Sequence, residues 1–326
     1  MLERVNLNAR ERISIALVES DAQLRISLRA VLHGAGFRSI VDFGSLERLK
    51  EYFDQEMPDL IIIDVHTPGG DACELVRNIR FSHKGGNPFL SVIMTLWQGK
   101  VDKLEKMINA GADHIVLKPL SPQTLIARIE ALIERRKPFV ATSCYIGPDR
   151  RKESRGEGAV PIFDVPNTLK EKALAKILDP SELQREIDRT MVSINGEMIH
   201  RLAFQLAFQA ESLAYVISQE PAKTAETLND YKVALLELMR RLDPKKEDQT
   251  NKTVKSLYGI HGRIEASSPN PDDVALLRKM SSAINIGLKN AETGDALMRQ
   301  VREALEKAKR AQAKSAAGPL AFRAAI

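Results

Sequence analysis

Cysteine is scarce. The 326 residues hold two, Cys73 and Cys144, with no CxxC pair and no Cys/His cluster. A disulfide scaffold is excluded, and four zinc ligands at ordinary spacings cannot be assembled. So few thiols fit a reducing compartment, and the expected location is the cytoplasm. Long apolar runs are also missing. None approaches the roughly 18 to 20 residues of a membrane span, and runs such as Leu60 to Ile63 are strand-sized. The opening MLERVNLNARERIS is charged, with no apolar stretch ahead of a small-residue cleavage site, so a secretory signal is not expected. There is no Walker lysine loop, no glycine fingerprint for a dinucleotide and no HExxH, so no enzyme is expected.

What is present is an ordinary supply of core and surface. Hydrophobic residues make up 44% and charged residues 28%, which excludes a largely disordered chain. The length suits about two domains. Net charge is +5, and its distribution says more than its sum. Residues 1–138 carry 19 basic and 18 acidic residues, whereas 299–323 carry seven basic and two acidic. The tail alone therefore matches the excess of the whole chain. It could face nucleic acid, anionic lipid or an acidic partner, or be a solvated helix end where Lys and Arg suit the dipole. Without interleaved aromatics it makes a poor single-strand binder, and nucleic acid is not an expected partner.

The first 137 residues alternate strand-like runs (13–18, 39–43, 60–65, 91–96, 114–117) with amphipathic stretches (22–34, 45–53, 71–81, 100–110, 121–136). This is the pattern of an α/β, doubly wound parallel sheet with helices on both faces. Leu60-Ile61-Ile62-Ile63 and Val92-Ile93-Met94 are apolar at successive positions, as central strands buried on both faces require. Residues 139–166 read as a linker rich in Gly and Pro, with short apolar anchors at Tyr145-Ile146 and Ile162-Phe163.

From 167 the expectation is an all-α helical domain for output or dimerisation, ending in the basic tail. Asn167 or Thr168 caps a short helix to Leu178. Asp179-Pro180-Ser181-Glu182 opens a long one to about Gln219. Leu183, Ile187, Met191, Ile194, Met198 and Leu202 form its apolar stripe, which suits core packing or a homodimer. A second stripe runs Leu228, Tyr231, Leu235, Leu238. Further helices are expected at 253–266, 272–288 and 295–314.

Polar residues gather at the strand ends of the first part: Glu19-Ser20-Asp21, Asp64-Val65-His66-Thr67-Pro68-Gly69-Gly70-Asp71, and Lys118-Pro119. Chemistry collects at the carboxyl ends of parallel strands. Two carboxylates there can hold a hard divalent ion, and an aspartate beside a cation and a lysine can accept a phosphoryl group. The pieces LVESD, PDLIIIDVHTPGGDACELVRNIR and AGADHIVLKPL, in that order, resemble the receiver domain of a two-component response regulator over residues 12–136. The resemblance implies a flavodoxin-like five-stranded receiver (1–138) with Asp64 as phospho-acceptor and Lys118 contacting the phosphoryl group. Glu19, Asp64 and the backbone carbonyl of His66 would hold Mg²⁺. Pro119 would follow a cis peptide. A sensor histidine kinase or phosphotransfer protein would be the donor, and an unknown protein the partner of the helical domain.

Three positions depart from that family. Ser20 stands where a second acidic ligand is usual, so magnesium binding should be weak. Counting back from Ala110-Gly111-Ala112 puts Leu96 in the place of a Ser or Thr, with Thr95 one residue early. Ile115 replaces an aromatic switch residue. These departures support an alternative, a phosphorylation-independent pseudo-receiver adaptor or scaffold, in which Asp64 and Lys118 are a residual ion pair. Two histidines invite a phosphotransfer reading, but the turns after His200 and His261 match no such motif, and ordinary, partly exposed helix residues are expected. Tyr145-Ile146-Gly147-Pro148-Asp149-Arg150-Arg151 resembles a string found behind bacterial receiver domains, with no chemistry implied.

Overall fold

The structure is a computed structural model that describes residues 7–81, 86–97, 103–151, 160–174, 179–243, 245, 249–266 and 269–289. After a short 3-10 turn at Leu7–Arg12 come β1 (Ser14–Val18), α1 (Ala22–Gly34), β2 (Ser39–Phe43), α2 (Leu46–Phe53) and β3 (Leu60–Asp64). They are followed by α3 (Ala72–Arg80), β4 (Ser91–Trp97), α4 (Leu104–Asn109), β5 (His114–Lys118) and α5 (Pro122–Arg135). The five strands lie parallel in the order β2-β1-β3-β4-β5.

Alternation along each strand splits the core in two. Ala16, Val18, Ile61, Ile63, Val92, Met94 and Leu96 pack on α2, α3 and α4. Ile15, Leu17, Leu60, Ile62, Ile93 and Val116 pack on α1 and α5. Because side chains alternate faces, a central strand covered by helices on both sides must be apolar at every position, which is why β3 reads as an unbroken run. Helix starts follow their caps: Asp21 accepts the amides of Gln23 and Leu24, Asp71 those of Cys73 and Glu74, and Ser121 that of Thr124.

The expected linker contains structure. β6 (Phe139–Ala141), β7 (Ile146–Pro148) and β8 (Ile162–Phe163) form a small antiparallel sheet in the order β7-β6-β8. Gly111 has φ +88°, and a Cβ there would lie 2.4 Å from the Ile146 carbonyl oxygen. A Cβ on Gly147 would lie 2.8 Å from the Gly111 Cα. Two glycines thus let β7 run against the turn before β5.

Beneath this contact is a buried ionic cluster. Arg80 is fully buried and donates to Gly111 O at 2.9 Å, Pro88 O at 2.8 Å, Leu90 O at 2.6 Å and Asp113 Oδ2 at 2.8 Å. Arg136 Nε donates to Asp113 Oδ1 at 2.8 Å. Both guanidiniums lie over the Phe139 ring, at 5.1 and 4.9 Å.

The short α6 (Thr168–Ala173) buries Leu169 and Ala173 in the same core as α1 and α5. Lys172 Nζ lies 2.8 Å from the buried Asp59, and Asn167 Nδ2 donates to Leu132 O at 2.9 Å. The chain divides into compact units Met1–Ile194 and Asn195–Ile326, whereas the sequence suggested a helical domain from 167.

α7 (Pro180–Gln219) runs in one piece, as its capping and stripe predict, and α8 (Thr224–Arg241), α9 (Gln249–Ala266) and α10 (Pro271–Lys289) follow. In the second unit Leu202, Leu206, Ala210 and Leu213 of α7 join Leu228, Tyr231, Leu235 and Leu238 of α8, with Leu257 and Leu277. Of the expected α7 stripe, Leu202 lies in this core, which α7 continues with Leu206, Ala210 and Leu213. The basic segment 299–323 and the helix expected at 295–314 lie outside the described residues.

Candidate functional site

Parallel topology carries β1, β3 and β5 to one edge of the sheet, and each delivers a charged side chain there. Glu19 follows β1, Asp64 ends β3 and Lys118 ends β5; the three are 4%, 3% and 1% exposed. Asp64 and Lys118 have the strand parity of Ile62 and Val116, so they point to the α1/α5 side of the sheet. Lys118 Nζ lies 2.7 Å from Asp64 Oδ2 and also donates to Glu19 Oε2. One ammonium therefore bridges two carboxylates. Removing it would leave two like charges buried together, which is expensive.

The remaining carboxylate oxygens are held by backbone. The His66 amide donates to Asp64 Oδ1 at 2.8 Å and the Asp21 amide to Glu19 Oε1 at 3.1 Å. The His66 imidazole Nδ1 is 3.8 Å from Asp64 Oδ1. Thr67 closes the turn, its hydroxyl donating to the Asp64 carbonyl at 2.9 Å. Gly69 and Gly70 take φ of +96° and +132°. Lys50 Nζ is 3.3 Å from Gly69 O, and Leu46 N is 2.9 Å from Pro68 O, so this loop is tied to the start of α2. The Lys118–Pro119 peptide is cis.

The residue count across the β4–α4 connection misplaced the hydroxyl. Leu96 is fully buried in the core on the α2–α4 side. Thr95, in register with Asp64, places its Oγ1 3.3 Å from Asp64 Oδ2. Sheet register, not loop length, decides which side chain reaches the site. The departures at Ser20 and Ile115 stand. Ser20 is exposed, Asp21 is committed to capping α1, and Ile115 is a half-buried core neighbour.

Among the described residues no three His, Cys, Asp or Glu side chains gather as a metal group. Glu19 and Asp64 bring two carboxylates together here, to which the resemblance would add the His66 carbonyl. That donor set fits Mg²⁺, which keeps several waters and needs only one or two carboxylates. The histidines of the second unit are not presented for transfer. His261 is 1% exposed, its Nε2 3.0 Å from the Leu228 carbonyl and its ring stacked on Tyr231, rather than partly exposed as expected. His200 is half-buried, its Nε2 2.9 Å from Leu288 O.

A five-stranded parallel sheet with an acid, an aspartate and a lysine at three strand tips is the architecture of a signalling receiver. Residues 15–130 match the response regulator receiver domain, and the chain is homologous over this region to two-component regulators. It is 34% identical over 132 residues to the phosphate regulon transcriptional regulatory protein PhoB of Rhizobium meliloti, covering 40% of this chain and 56% of that protein. It is 28% identical over 200 residues to the virulence transcriptional regulatory protein PhoP of Salmonella typhi, covering 60% and 81%. The chain spans about half the length of the PhoB relatives it matches. Among solved structures, the chemotaxis response regulator CheY4 of Vibrio cholerae is 20% identical, with a TM-score of 0.32, over 36% of this chain and 96% of that one. The matched family ends at residue 130, and no family is assigned to the helical part. The expectation against nucleic acid gains no support from relatives named as transcriptional regulators. No helix among the described residues is long and apolar enough to cross a membrane.

Proposed function

We propose that the chain is a response regulator in which Asp64 accepts a phosphoryl group and thereby controls what its helical unit binds. The carrying observation is the Lys118 ammonium held 2.7 Å from Asp64 Oδ2 at the meeting of three strand tips. The donor would be a phosphohistidine on a sensor kinase or phosphotransfer protein. An Asp64 carboxylate oxygen attacks phosphorus, the P–N bond breaks, and the imidazole leaves with a proton. Transfer of this kind needs positioning and charge neutralisation more than covalent help. The His66 amide fixes Asp64 Oδ1, Thr95 offers a hydroxyl, and Lys118 supplies positive charge. Glu19, Asp64 and the His66 carbonyl would hold Mg²⁺, which offsets charge on the phosphoryl oxygens when bound. Ser20 leaves that ion one carboxylate short, so binding is expected to be weak. Incubation with a radiolabelled small phosphodonor and magnesium should label the wild type and not Asp64→Asn. An unlabelled but folded wild type would overturn the reading.

A second reading is a phosphorylation-independent adaptor, favoured by Ser20 and Ile115. The third argument for it disappears, because Thr95 fills the place assigned to Leu96. On this reading Asp64→Ala leaves partner capture unchanged; lost capture would rule it out.

A further inference from the structure

The second unit carries an open groove of about 410 Å³, lined by Glu211 of α7 and by Ala275, Arg278, Ser282, Ala283 and Ile286 of α10. Ala275, Ser282 and Ile286 follow one another at seven and four residues and so share a face of the helix. Val274, Leu277, Ser281 and Ile284 are buried on the other. Arg278 Nη2, 2.5 Å from Glu211 Oε2, ties α10 to α7 beside the groove. How closely a further helix can approach depends on the side chains at the contact, and here they are mostly small.

We propose that this groove is the docking site of the chain's own segment 295–314, which lies outside the described residues and folds back along α10 as an antiparallel helix. Reach supports it. α10 ends at Lys289, three residues past Ile286, and 290–294 leave five residues for the reversal; helix connections in bundles take about 2 to 8. A helix over 295–314 would be about 30 Å long, a match for the 19 residues of α10. Pattern supports it too. Leu297, Val301, Ala304, Leu305 and Ala308 fall on one helical face, as narrow as the groove, while Arg299, Arg310 and Lys314 fall on the opposite one. Docking by the stripe therefore covers hydrocarbon and leaves the basic charge in water. A second copy could offer the same stripe, but a segment tethered this closely acts at an effective concentration on the order of millimolar. The inference does not depend on Asp64 being the acceptor.

The test is disulfide trapping in the full-length chain, with the exposed Cys144 replaced by Ser and the buried Cys73 kept. Ala283 stands six residues before Lys289 and Val301 six after Asp295, so the two come level in an antiparallel return. Ala283 is exposed and tolerates the change. Ala283→Cys is paired with Val301→Cys, with Ala304→Cys one turn along the stripe, and with Glu306→Cys on the far face as control. Under oxidised glutathione at least one stripe pair should lose both free thiols and run as a disulfide-closed monomer, and the control should keep its thiols. Closure of the control as readily as the stripe pairs would mean chance collisions of a loose tail and overturn the proposal. A disulfide-linked dimer in place of the closed monomer would give the groove to a second copy and overturn it as well. So would free thiols in both stripe pairs of a chain whose circular dichroism and unfolding temperature match wild type.

Discussion

Asp113 must satisfy two buried arginines at once, and the consequences differ for acid and base. Burial alone would raise its pKa, but Arg136 and Arg80 hold it below the ordinary aspartate value. At Arg80 the balance runs the other way. Burial lowers it to about 10 against the single carboxylate it shares with Arg136, and it stays charged at neutral pH. Because Asp113 is more acidic folded than unfolded, its contribution is complete above about pH 4. It is lost as pH falls through the lower, folded value. Asp113→Asn should cost about 3 to 5 kcal/mol, as breaking a buried pair does. In urea unfolding across pH, the variant should also lack this part of the wild type's acid sensitivity. Nothing in Val76-Arg77-Asn78-Ile79-Arg80 marks Arg80 as internal, since an arginine in a helix's last turn reads as solvated. Its role emerges only from the carbonyls that surround it. By contrast Asp64, Glu19 and Lys118 were legible, because strand ends in a parallel sheet can be counted from apolar runs. Thr95 was misjudged because the count crossed a loop of variable length.

At the scale of elements, the five strands and their helices were readable because each spans enough residues to show its period. The sheet β7-β6-β8 was not. Strands of two or three residues cannot display alternation, and the surrounding Gly and Pro read as linker. The Tyr145-to-Arg151 string, which suggested no chemistry, is in part a clasp: Tyr145 Oη donates to Pro148 O at 2.9 Å, and Arg150 Nη2 to Ala112 O at 2.5 Å. Gly111→Ala tests the clasp directly. A positive φ alone costs an L-residue about 1 to 2 kcal/mol, and the Cβ would also meet the Ile146 carbonyl. Denaturant unfolding should show a larger loss than that, and hydrogen exchange should quicken at the amides of β6 and β7. A loss within the backbone cost, with exchange unchanged, would mean the contact is incidental.

At the scale of the molecule, the two receiver clusters and the helical cluster share no residue, so each unit carries its own apolar stabilisation. The helices of the second unit were legible from their caps and stripes, but not what their stripes would cover. An apolar face says that something is buried, not whether the partner is another helix of the chain or a second copy. Leu235, fully buried on α8, separates the units experimentally. Leu235→Ala should cost about 2 to 5 kcal/mol in the helical unit, the usual toll of a core cavity. Calorimetry of the variant should then move one of two transitions to lower temperature. Labelling of Asp64 should keep the wild-type rate and extent, since the side chains that shape the pocket (Glu19, Asp64, Thr95 and Lys118) all belong to the first unit. A single transition that shifts as a whole, together with lost labelling, would show that the Asp64 pocket depends on the helical core for its own shape.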